Sequence, residues 1–376
     1  MKYRKFEAGN IDVSLLGFGA MRLPVMEDGS GAVDEAEATR MIRYAIDHGV
    51  NYVDTAYVYH GMKGENIVGR ALADGYREKI LLATKMPIWT FDSPDRMEPL
   101  FEEQFIKLNT EVIDMYLVHN ITGGTFGKVK DFKIWDFLAK KREEGKIRFI
   151  GFSFHGESPA EFKEILDAYP WDFCQLQINY IDKDIQAGVE GYEYAVSKGV
   201  PIILMEPLKG GKLTDIMPPS IQKYWDSLES ERSPAEWALR WAANLPGILT
   251  ILSGMSTMEQ VIENIKVLSD ADIGSLSESE LEIIDQVSEE YRKLIPYQCT
   301  ACKYCLPCTV EIDIPMIMDC RNSCDAYGKT SKIQDFYDMW TVHGPSECTA
   351  CGKCEAVCPQ HLKIIQAMKE AAELFE

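Results

Sequence analysis

The chain has 376 residues, 46% of them apolar, which is more than one average domain and enough for a large buried core. A formal charge of −20 leaves no basic face for phosphate, so no nucleic-acid partner is expected. No apolar run approaches the ~18 residues of a membrane span, and the polar N-terminal segment lacks a secretory apolar core. The expectation is a cytoplasmic protein without membrane association. Between residues 15 and 270, β-rich runs alternate with amphipathic helical ones. Strands are predicted at 15–20, 51–55, 80–85, 114–119, 147–152, 173–178, 201–205 and 248–253. Helices are predicted at 35–49, 64–75, 95–108, 130–145, 159–169, 188–199, 233–244 and 257–268. Eight strand–helix units demand a parallel sheet. Closure into an α/β fold of the (β/α)8 TIM-barrel type is the expectation, with an open doubly wound sheet as the alternative. One more helix is predicted at 276–294. The composition changes at Pro296, after which strand signals cease and cysteines crowd in. The expected domains are a barrel over residues 1–294 and a mainly helical, cysteine-rich domain over 295–376.

Polar residues mark one end of the predicted strands. Asp54, Lys85, His119, Ser153, Gln175 and Glu206 all fall at or near C-terminal strand ends. In a barrel these ends meet at one mouth, where the chemistry is found. Asp54, Tyr59, Lys85 and His119 together make a proton-donating group. A tyrosine is a poor acid, with an ordinary pKa of ~10, but an adjacent ammonium stabilises its phenolate. Asp54 would keep Lys85 charged and oriented, and His119 would hydrogen-bond a substrate oxygen. Each of these residues alone reads as readily as a structural hydrogen-bonder. His60 and His155 read first as solvent-facing loop histidines, and Trp89 and Trp135 as pocket walls or ordinary packing.

Ten of the eleven cysteines lie between residues 299 and 358. Cys299, Cys302, Cys305 and Cys308 form one run, and Cys348, Cys351, Cys354 and Cys358 the other, closed by Pro359. In a reducing compartment such spacing indicates metal rather than disulfides. Three thiolates in so short a loop reach three corners of a four-iron cube, and the fourth must come from elsewhere. In the bacterial ferredoxin arrangement the last cysteine of each run ligates the other cluster. One [4Fe–4S] cluster would then take Cys299, Cys302, Cys305 and Cys358, and the second Cys348, Cys351, Cys354 and Cys308. The first run departs from that pattern by its last spacing and by Thr309 after Cys308. Paired four-cysteine zinc sites are the bland alternative. Cys320 and Cys324 share a helical face and read as spare or packing thiols, and Cys174 as a core thiol.

The order and types of the mouth residues resemble the aldo/keto reductase family, in the subgroup with a C-terminal ferredoxin-type 4Fe–4S domain. The resemblance covers about residues 5–270 and includes the Leu-Gly-Phe-Gly-Ala-Met-Arg run at 16–22. It implies that Asp54, Tyr59, Lys85 and His119 are catalytic, with Tyr59 the proton donor. Ser153, Gln175, Met205, Pro207, Leu208, Glu263 and Asn264 are implied as cofactor contacts. The implied cofactor is NAD(H) or NADP(H). NADH is favoured, because Gly254 and Gln260 stand where the family carries the basic pair for a 2′-phosphate. Two further departures are Phe154–His155 where an asparagine follows the serine, and Met205–Glu206 where an aromatic ring stacks on the nicotinamide.

The expected activity is reduction of a carbonyl or related small molecule, with electron transfer through the clusters. A hydride carries two electrons and each cluster one, so a flavin stays open as a converter, with Lys209-Gly210-Gly211 as its phosphate loop. A ferredoxin or other redox protein is the expected macromolecular partner. The alternatives are a plain NAD(P)H carbonyl reductase with structural clusters, and a non-catalytic redox sensor.

Overall fold

The computed structural model describes residues 1–28, 30–214, 218–228 and 230–376. An antiparallel hairpin, β1 (Tyr3–Phe6) and β2 (Ile11–Ser14), comes first. Eight parallel strands follow: β3 (Leu16–Gly19), β4 (Tyr52–Asp54), β5 (Leu81–Pro87), β6 (Ile113–Ile121), β7 (Ile147–Phe154), β8 (Phe173–Gln177), β9 (Ile202–Met205) and β10 (Ile248–Gly254). Each pairs with the next in sequence, and β10 returns to β3 with Ile251 opposite Leu16, so the sheet is a closed barrel. Closure excludes the open doubly wound alternative. The predicted strands match the observed ones to within about two residues.

Local chemistry explains the intervening helices. Glu35–Asp47 begins where the Asp34 side chain accepts the Glu37 amide, and its buried positions Ala38, Met41, Ile42, Ala45 and Ile46 form one stripe. Pro159–Asp167 begins on Ser158, with proline at a position whose N–H would be unsatisfied anyway. Inside the barrel, Tyr52, Leu81, Ala83, Met115, Leu117 and Phe173 belong to a single core to which the hairpin contributes Phe6 and Val13. Phe6 meets Phe149 edge to face at 4.7 Å, which docks the hairpin against β7.

Two sequence expectations change. The helix expected at 130–145 is two, Gly123–Asp131 and Ile134–Glu143, with Lys133 between them in the left-handed region at φ 51°. The chain also divides into compact units at other points than residue 294. One unit comprises Met1–Leu208 and Ala235–Leu276, the other Lys209–Pro234 and Ser277–Glu376. The helix Glu278–Leu294, read as the barrel's last, therefore groups with the cysteine-rich unit, as does Pro219–Asp226. Residues 215–217 and 229 of that inserted segment lie outside the described residues.

The second unit has helices Ile314–Tyr327, Ser331–Trp340 and Ile364–Phe375, and no strand among its described residues. Ile314, Ile317, Met318, Tyr337, Ile364 and Met368 anchor its core, against which several of the cysteines pack. Among the described residues no helix is long and apolar enough to cross a membrane.

Candidate active site

The register of the closed sheet places Asp54, Lys85 and His119 on the adjacent strands β4, β5 and β6. Each of the three is at most 2% exposed, so their polar atoms must find partners within the protein. Lys85 Nζ donates to Asp54 Oδ1 at 2.6 Å and to the Thr55 carbonyl at 2.8 Å. Burial pushes the Lys85 ammonium down from the ordinary lysine value, and Asp54 opposes that shift. The same ammonium lies 5.2 Å from the centre of the Tyr59 ring. His119 meets the Tyr59 ring edge-on at 6.3 Å. It is held well below the usual imidazole value, by burial first and then by the Lys85 charge and His155, so it is neutral near pH 7. The four residues expected to be catalytic are thus brought together.

A buried support stands behind Lys85. Glu65 Oε1 accepts from Thr84 Oγ1 at 2.7 Å and from Gln104 Nε2 at 2.6 Å. Gln104 Nε2 also reaches the Lys85 carbonyl at 3.1 Å, and Tyr116 donates to Gln104 Oε1 at 2.5 Å. Burial raises the Glu65 carboxyl above its ordinary range.

The expected cofactor contacts fall in two groups. Ser153 on β7 stands opposite Gln175 on β8. Its Oγ accepts the Asn120 amide at 2.8 Å. Gln175 Nε2 lies 3.5 Å from Met205 Sδ, whereas Gln175 Oε1 and Asn120 Oδ1 are buried without a partner among the described residues. An orphaned Gln175 acceptor on the strand position opposite Ser153 fits a ligand that brings N–H donors, as a primary carboxamide does. Asn120 was not foreseen, since nothing in the sequence says that the residue after His119 turns toward Ser153. Pro207 is buried and Leu208 half-buried just beyond β9. Asn264 is buried with Nδ2 on Ser253 Oγ at 2.9 Å, and Glu263 is half-buried beside it on the helix Met258–Asp270.

Several other side chains take places the sequence did not assign. Trp89 is 41% exposed, yet its ring lies 4.8 Å edge-on from His119, so it is a wall of the mouth. Trp135 instead stacks on Tyr169 at 5.9 Å. His60 is half-buried with Nε2 2.8 Å from the Ala20 carbonyl, rather than a solvent-facing histidine. His155 is half-buried at the end of a polar chain whose direction is set by a carboxylate. Asp182 accepts from Gln177 Nε2 at 3.1 Å, and Gln177 Oε1 accepts from Gln186 Nε2 at 3.1 Å. Gln186 Oε1 therefore takes the hydrogen of His155 Nδ1 at 3.2 Å, which fixes that tautomer. Glu206 follows β9 in the left-handed region, φ 58°. It is held there by Asn179 Nδ2 on its carbonyl at 3.1 Å and by Arg22, 3.6 Å from its carboxylate.

In the second unit two solvent-open recesses divide the cysteines. One, of about 360 Å³, is lined by Cys299, Cys302, Cys305 and Cys358. The other, of about 420 Å³, is lined by Cys305, Cys308, Cys348, Cys351 and Cys354. The last cysteine of each run thus lies with the first three of the other. Cys320 and Cys324 are buried outside both recesses. Among the described residues no three His, Cys, Asp or Glu side chains form a group that could hold a metal ion.

Comparison with known proteins places this geometry. The aldo/keto reductase family model matches residues 15–289. L-galactose dehydrogenase of Arabidopsis thaliana is 28% identical over 303 residues, spanning 76% of this chain and 93% of its own. An aldo-keto reductase from Bacillus halodurans, solved in its holo form, has a TM-score of 0.63 at 26% identity, over 76% of this chain and 96% of that one. An aldo-keto reductase from Klebsiella pneumoniae, solved in complex with NADPH, shares the fold with a TM-score of 0.62 at 21% identity, over 77% of this chain and 95% of that one. With a family model that spans the closed barrel and every one of its strand ends, the chain belongs to the aldo/keto reductase family.

Proposed function

We propose that this aldo/keto reductase reduces the carbonyl of a small molecule with a nicotinamide cofactor at the barrel mouth, and that its second unit carries two [4Fe–4S] clusters. The observation that carries the first half is the Lys85 ammonium, clamped 2.6 Å from Asp54 and set against the Tyr59 ring beside a neutral His119. The nicotinamide, when bound, supplies a hydride to the carbonyl carbon. Tyr59 delivers the proton to the oxygen, and Lys85 stabilises the phenolate left behind. Asp54 keeps Lys85 charged in a site where burial alone would neutralise it. His119 orients the carbonyl as a neutral hydrogen-bonding group, and Trp89 limits water on its flank. Ser153, Gln175 and Asn120 hold the cofactor's carboxamide, with Met205, Pro207 and Leu208 along its path and Glu263 and Asn264 toward its adenine end. NADH is favoured over NADPH, because Gly254 offers no cation and Gln260 Oε1 is engaged by the Ser256 amide at 2.7 Å.

The crossed distribution of cysteines over two recesses supports the cluster reading. Four-iron clusters, when bound, supply one-electron transfer. Zinc knuckles normally use two separated Cys-x2-Cys pairs, which two dense quartets, the second closed by Cys358-Pro359, fit poorly. The reading carries with it a reducing, cytoplasmic setting and a one-electron partner protein.

The test is anaerobic purification with iron, sulfide and released flavin quantified, followed by cluster absorbance as NADH or NADPH is added. Bleaching by one nucleotide is the expected result. Clusters that stay oxidised while aldehydes are still reduced would assign them a structural role. Absence of iron and sulfide would remove the cluster half of the proposal.

A further inference from the structure

The two cysteine recesses are not equivalent. Cys351 is exposed, whereas the other seven candidate ligands are half-buried. Thr309 Oγ1 lies 3.6 Å from Cys351 Sγ although 42 residues separate them.

Thr309 stands directly after Cys308, as Pro359 stands directly after Cys358. A proline at that place would have no side-chain donor; threonine adds one, and it reaches a cysteine of the opposite run. With a free thiol either atom can donate. A thiolate bound to iron can only accept, so the hydroxyl must then donate. Reduction adds one negative charge to a cluster, and a hydrogen bond to a ligating sulfur stabilises that added charge. Donors and solvent exposure both move the reduction potential in this direction.

We propose that Thr309 is a positioning residue whose hydroxyl, donated to Cys351, raises the reduction potential of the cluster held by Cys308, Cys348, Cys351 and Cys354 above that of the cluster held by Cys299, Cys302, Cys305 and Cys358. That cluster is then the first of the two to accept an electron. This inference rests on the cluster reading above.

The test is an anaerobic redox titration of the full-length holoenzyme with dithionite, followed by electron paramagnetic resonance, with iron and sulfide measured on each preparation. Wild type is expected to show two separate one-electron steps. Thr309→Val and Thr309→Ala should lower the upper step and leave the lower one in place, and Thr309→Ser should restore it. A merely structural threonine would change cluster content or both steps together. Full cluster content with an unmoved upper step in Thr309→Val and Thr309→Ala overturns this inference alone. Wild-type iron short of two clusters overturns the cluster reading and this inference with it.

Discussion

The barrel mouth and the cysteine-rich unit organise their functional side chains in opposite ways. Asp54, Lys85 and His119 sit on strands of a closed sheet, are almost fully buried, and are already bonded or stacked in place. The eight candidate ligands sit on loops, except Cys354 in the short helix Lys353–Ala356, and none of the eight is buried. One site is positioned by strands of a closed sheet; the other is assembled from loops. The orphaned acceptors Gln175 Oε1 and Asn120 Oδ1 show how far the first site is prepared before any ligand enters.

Removal of the proposed iron would break this comparison most severely. Binding energy at such sites is folding energy, on the order of 10 kcal/mol for structural metals. Chelation is expected to abolish amide-exchange protection across residues 341–363 while β5 to β8 stay protected. Equal loss in both regions would end the contrast. Next comes Tyr59→Phe, expected to lower kcat for carbonyl reduction by about 10²- to 10⁴-fold with nucleotide binding unchanged, as measured by steady-state kinetics and nucleotide titration. A smaller effect is expected from Gln175→Ala or Asn120→Ala, each losing about 1 kcal/mol of cofactor binding, or roughly fivefold in Kd, by fluorescence titration.

The smallest effect sharpens the buried side of the comparison. The Glu65 carboxyl is raised by burial in the folded state. Its contribution to stability is therefore complete below the unfolded carboxyl value of ~4.3 and is lost as pH rises through the folded one. Glu65→Gln keeps an oxygen for Thr84 and Gln104 but cannot titrate. Urea midpoints across pH 4 to 8 are expected to fall more steeply for wild type than for the variant. Parallel curves would mean that Glu65 is not the titrating group.

The barrel was legible because its strands are short apolar runs, each ending in a chemically distinctive residue. The hairpin β1–β2 was not, since Tyr3–Phe6 and Ile11–Ser14 are too short and polar to carry a period. Gly123–Asp131 was hidden by its glycines and forms with reciprocal capping between Thr122 and Thr125. The helix Glu278–Leu294 shows why the unit boundary was misplaced: amphipathic spacing reveals that one face is buried, never against what. Of the site, Asp54, Lys85 and His119 were legible by type and strand position. Asn120 and the chain that includes His155 were not, because each depends on a turn of backbone or a bond across distant sequence.

The most direct test of the central claim is deuteride transfer. The holoenzyme would be supplied with NADH or NADPH deuterated at C4 of the dihydronicotinamide and a panel of aldehydes and ketones, and the products read by mass spectrometry. The account predicts deuterium on the carbinol carbon in wild type and almost none with Tyr59→Phe. Reduced product that carries no deuterium, or undiminished transfer in Tyr59→Phe, would contradict it.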